Sequence, residues 1–229
     1  MKLFKIILVL LLVVVGYGLY AFGLFGTPKA KDLGIRFTQA DFASMEQKSR
    51  VKHEVLSGGG NEINKYTGSH DVDNSFTSED FSSFAQYASW KYLPFTNVQI
   101  RINKDGTAEA SGNMSTSKLA DYLMGTGGVT SGEANQIKSY VPISGNPTFY
   151  IKVGGSMKEN NLEHFAIHKA QIGPVSIPSG FISTYIGRVE TYLEDRVDAF
   201  PGAYVKSLTL EDGKLKYQGK LPDTEYAVK

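Results

Sequence analysis

Apolar residues in the last quarter of the chain change their spacing at Pro178, from a strand-like run to a helical stripe. Beyond Ser179, the residues Phe181, Ile182, Tyr185, Ile186, Val189, Leu193 and Val197 recur at the three- and four-residue intervals of one helix face. Ser183, Thr184, Arg188, Glu190, Glu194, Asp195 and Asp198 fill the other side, which predicts a solvated face. Ser179 is the expected N-cap and Pro201-Gly202 the expected stop. Two further helices are predicted by an internal echo, FTQADF from Phe37 and FTSEDF from Phe76. In each copy the threonine can cap a helix, the aspartate three residues on can return the contact, and the phenylalanines take the staple positions. The first helix is expected to run to about Val51; the second carries Phe84 and Trp90 and ends before Pro94.

Period-two patterns supply the strands. Asn64 to Phe76 alternates faintly, and Val98, Ile100 and Ile102 alternate with polar residues before the turn at Asp105-Gly106. Ala108, Ala110 and Gly112 return on a side of small residues, which leaves room against the branched ones opposite. Strands resume at 147–157 and 161–173, and a last hairpin turns about Asp212-Gly213. Short helices are expected at 117–124 and 133–140, with turns or loops at the glycine-rich 57–61 and 125–132. Helices flanking antiparallel hairpins give an α+β class: a curved antiparallel sheet packed on the long amphipathic helix, preceded by one N-terminal transmembrane helix.

That leader is Met1 to Phe25, where Lys2 and Lys5 precede uncharged residues from Ile6 onward, about 30 Å of helix and a match to a hydrocarbon core. Its run is long for a cleaved signal peptide, so it is expected to stay as an anchor with a cytoplasmic start and the bulk of the chain extracytoplasmic. The domains then divide as 1–26 anchor, 27–60 juxtamembrane linker and short helix, and 61–229 extracytoplasmic domain.

The 229 residues contain no cysteine, which excludes disulfides, thiolate chemistry and a lipid-modified cysteine. A net charge of +1 with no basic stripe excludes a nucleic-acid partner. His164 and His168 lie four apart in a predicted strand, about 13 Å apart by strand rise, too far for one metal. The glycine clusters match neither a phosphate loop nor a dinucleotide fingerprint, and no serine elbow occurs. No catalytic residue, metal or cofactor is therefore expected. What remains is aromatic and aliphatic: Phe84, Trp90, Phe181, Ile182, Tyr185, Ile186, Val189 and Leu193 are the candidate lining of a groove where an acyl chain replaces missing side chains. An ordinary packed core accounts for the same residues.

The order of FTSEDF, the NKDGT turn, IGPVSIPSGFISTYI from Ile172, and EDGKLKYQGKLP from Glu211 resembles the tubular lipid-binding, or TULIP-like, domains of membrane-anchored bacterial proteins. The resemblance spans Asn64 to Pro222; the 115–142 insertion and the FTQADF helix depart from it. It implies non-catalytic binding or shuttling of a lipid or other apolar ligand near the membrane. A cell-envelope protein-protein interaction or regulatory module without a small-molecule ligand is the alternative, and a hydrolase of envelope polymers would need a cleft of converging carboxylates.

Overall fold

The computed structural model describes residues 29–56, 64–88, 91, 93–115, 118–119, 122 and 146–228. The expected membrane span, Trp90, and the segments 57–61, 125–132 and 133–140 lie outside these residues, wholly or in part. Within them, three helices accompany eleven strands: α1 (Gln39–Ser49), β1 (Lys52–Val55), β2 (Asn64–Thr67), β3 (His70–Phe76), α2 (Ser78–Tyr87), β4 (Phe95–Ile102) and β5 (Thr107–Met114). After the insertion come β6 (Thr148–Lys158), β7 (Asn161–Ile172), β8 (Val175–Ser176), α3 (Ser179–Asp198), β9 (Tyr204–Glu211), β10 (Lys214–Leu221) and β11 (Thr224–Ala227).

The FTxxDF echo does start helices. Thr38 caps α1 and Thr77 caps α2, and Asp41 and Asp80 each return the contact to the threonine backbone, so both capping boxes are complete. Asp80 is buried, and Lys48 in the last turn of α1 meets its Oδ2 at 2.5 Å, which ties the end of α1 to the start of α2. Helix α2 also closes an open sheet edge. Serines one turn apart, Ser78 and Ser82, accept from the Ile102 and Ile100 backbone N–H groups at 2.9 and 2.8 Å, so edge strand β4 is not left as a template for another chain.

The larger sheet runs in the order β3-β10-β9-β6-β5-β4, with β7 and β8 added beyond β6. Strand β6 changes neighbour along its length: it pairs with β5 up to Gly154 and with β9 from Met157. Gly155, at φ 139, sits at the changeover, where a Cβ would meet the Phe165 backbone. The smaller sheet, β1-β11-β2, was not legible in advance; β1 runs parallel to β11. The core holds Val72, Phe76, Met157, Val205 and Tyr217, with Phe81, Leu162 and Val197 against it.

This sheet-dominated fold corrects the expected class, in which a long amphipathic helix packs its stripe onto a curved sheet behind a transmembrane helix. Helix α3 has the expected length, but none of its residues is buried; Phe181 is 57% and Tyr185 41% exposed. Among the described residues no helix is long and apolar enough to cross a membrane. The reason lies in the supposed solvent face. Glu194 accepts from the Leu162 N–H at 2.8 Å and Asp198 from Asn160 Nδ2 at 2.8 Å, so the β6–β7 turn holds α3 by polar groups near its C-terminus. The apolar first half is left open. The N-cap is Pro178, not Ser179, and makes no side-chain cap bond.

Candidate ligand-binding face

Cross-strand register places Ile100 and Ile102 of β4 opposite Ala110 and Ala108 of β5, and these opposite Ile151 and Val153 of β6. The same row continues into β7 through Ala170 and Ile167. Opposed residues in an antiparallel ladder share a face, so this face is aliphatic across four strands. It is nevertheless half-open: of these eight residues only Ile102 is buried.

The other face of the same strands inverts the usual rule. Thr107, Glu109, Ser111 and Asn113 of β5 and Tyr150 of β6 are buried. Residues 31–33 lie across them. Leu33 is 3% exposed, its N–H donates to Gln99 Oε1 at 2.7 Å, and its carbonyl accepts from Arg101 at 3.3 Å. Lys31 stands 3.9 Å over the Tyr150 ring and 3.7 Å from Glu109 Oε2. Burial raises the Glu109 pKa, but hydrogen bonds from Arg101, Asn103 and Tyr150 and the Arg101 charge outweigh it, and the carboxyl ends below its ordinary range. Arg101 Nε, Glu109 Oε2 and Ser111 Oγ remain without hydrogen-bond partners.

The residues expected to line a groove do not form one set. Phe84 lies with the N-terminal helices, its ring centroid 5.3 Å from that of His53, and the Phe42 ring is 5.7 Å from the same imidazole. Phe181 and Tyr185 stack on each other at 4.5 Å on the exposed half of α3, while Ile182, Ile186, Val189 and Leu193 are half-buried. The room expected beside Gly112 is filled: a Cβ there would come within 3.0 Å of the Phe149 ring. Among the described residues no three histidine or acidic side chains are grouped to hold a metal ion.

A second constellation was not anticipated. Glu225 of β11 is 4% exposed and faces His53 Nε2 through Oε2 at 3.4 Å; His53 Nδ1 meets Glu46 Oε1 at 2.9 Å. Burial pushes the Glu225 carboxyl up to about 7, against a smaller lowering by the Tyr66 hydroxyl. Tyr66 itself is pushed up by burial and then by the Glu225 charge. The only hint in the sequence is one glutamate among the apolar and aromatic residues of the tail.

Comparison with protein-family models, with curated proteins and with solved structures finds no match for this chain.

Proposed function

We propose that this protein is a non-catalytic binding module that takes the acyl chain of a lipid against the aliphatic face of β4 to β7, beside the open half of α3. One observation carries the reading: at the centre of these strands the polar side of β5, with Tyr150 of β6, is buried while the aliphatic face is half-open, the reverse of what burial of apolar surface favours in an unliganded domain. The paired positions of that face carry no charge, only branched aliphatics over β5 alanines, which suits a flexible hydrocarbon. The apolar leader of the sequence would keep the module at a membrane, the source of such a ligand, and the TULIP-like resemblance points to the same ligand class.

The full chain purified in maltoside detergent tests this by mass spectrometry of its organic extract. Wild type carries about one lipid per chain above the amount found for Ile151→Glu, which places a charge in the middle of the face. Equal lipid in both proteins overturns the reading. A concentration-dependent dimer that Ile151→Glu dissolves, with no lipid in either extract, assigns the face to a protein contact instead.

A further inference from the structure

Among the large apolar side chains left in water, Val175, Phe181 and Tyr185 fall in the single stretch 175–185 and are 53%, 57% and 41% exposed. Val175 belongs to the aliphatic face: it stands opposite Ile172 of β7, which stands opposite Phe149 of β6, two residues before Ile151. It is the outer end of that face. Phe181 and Tyr185 rise from the first two turns of α3, stacked at 4.5 Å, and the Arg188 guanidinium, one turn on, lies 5.8 Å from the Tyr185 ring. Glu194 and Asp198 hold the far half of α3 at the β6–β7 turn, so the exposed residues mark the opposite end of these strands.

The chain comes in from its leader near the same end. Lys31 is fixed 3.9 Å over the Tyr150 ring, and the exposed Lys169 stands 5.9 Å from that ring. Tyr150 is opposite Gln171, and Gln171 is opposite Ser176 beside Val175, so Lys31 lies over a strand two ladder spacings, about 10 Å, from β8. From Phe25, the last residue of the apolar run, to Lys31 is six residues, which span at most about 20 Å when fully extended. An apolar run of that length partitions into hydrocarbon, so a bilayer that takes it up lies within reach of the Val175 edge. Exposed rings, a branched aliphatic and nearby cations suit the headgroup–acyl boundary, where apolar bodies sit among the chains and cationic heads reach the phosphates. We infer that Val175, Phe181 and Tyr185 dock on a phospholipid bilayer, with Arg188 and Lys169 at the phosphates, and turn the outer end of the aliphatic face toward the acyl layer. This contact goes beyond the acyl-chain reading: it fixes how the module sits on the membrane, whatever the face then holds.

The chain has no cysteine, so a single nitroxide label reports one position. The full chain carrying Thr184→Cys, exposed and one turn after Phe181, is reconstituted in vesicles of phosphatidylcholine with a minority of phosphatidylglycerol. Its label is relaxed by oxygen, which concentrates in the acyl layer, or by a water-soluble nickel chelate present on both sides of the bilayer. Oxygen is expected to exceed nickel at least about 3-fold at Thr184→Cys, and nickel to prevail at Asp71→Cys, 86% exposed on strand β3. Phe181→Asp combined with Tyr185→Asp reverses the ratio at Thr184→Cys. Val175→Asp, off the helix, lowers it at least about 2-fold and serves where the double variant fails to fold. A nickel-dominated label at Thr184→Cys, a ratio that neither variant changes, or exclusion of both reagents, which assigns the edge to a protein contact, overturns the docking; the acyl-chain reading then stands or falls on the lipid difference between wild type and Ile151→Glu. Oxygen preference at Thr184→Cys together with equal lipid in those two proteins keeps the docking and removes the acyl-chain reading.

Discussion

Glu225 is where one side chain decides a measurable property. Its carboxyl is held up to about 7 from an ordinary 4.5, chiefly by burial. A group whose folded pKa is raised contributes stability that is complete below the unfolded value and lost as pH rises through the folded one. Between roughly pH 4.5 and 7 the protein therefore loses about 3 kcal/mol from this residue, at about 1.4 kcal/mol per unit. Denaturant unfolding at pH 5 and pH 8 checks it: Glu225→Gln flattens the wild-type decline and is the more stable protein at pH 8, whereas an unchanged slope in the variant shows that other groups set the pH dependence. The charged and titratable groups that bear on it, His53, Glu46, Tyr66, Tyr122 and Arg196, are retained in that variant, so the comparison isolates the carboxyl.

Among the elements, α3 separates what hydrophobic periodicity tells from what it omits. Its stripe is real, but a stripe states only which residues share a side, and here the helix is fixed near its C-terminus by Glu194 and Asp198, with Val197 alone of the stripe packed against the buried cluster. The two are carboxylates placed where the β6–β7 turn presents N–H donors, and nothing in the spacing of apolar residues announces partners 32 and 38 residues earlier in the chain. Phe181→Ala is accordingly expected to cost under about 0.5 kcal/mol in the ligand-free protein, because the ring is already in water. Phe76→Ala, from the buried cluster, is expected to cost about 3 to 5 kcal/mol. Thermal unfolding distinguishes the two, and a comparable loss for both contradicts an open α3. The capping boxes were legible because all their partners lie within four residues. The β1-β11-β2 sheet was not, since it joins residues 52–55 to residues 224–227 and each strand is only four residues long. The candidate aliphatic face was half-legible: Ile100, Ile102, Ala108 and Ala110 show the right alternation, but which side of the sheet is covered depends on residues 31–33 reaching across it from before α1.

At the scale of the whole molecule, burial is distributed unevenly between the two ends of the main sheet. One end of the main sheet, with Val72, Phe76, Met157, Val205 and Tyr217, is an ordinary apolar core that supports the fold. The other end, β4 to β7, buries glutamate, serine and asparagine beneath the N-terminal strap and leaves its aliphatic side half-open. A chain that stabilises itself at one end and withholds apolar surface at the other fits the binding module proposed above. The most direct measurement is photolabelling of the full chain in phospholipid vesicles by a phospholipid with a diazirine in its acyl chain, followed by peptide mass spectrometry. Adducts are expected on the aliphatic face of β4 to β7 and on the first half of α3, suppressed by Ile151→Glu; adducts confined to residues 1–28, or spread over the sheet and unchanged in that variant, are incompatible with an acyl chain on that face.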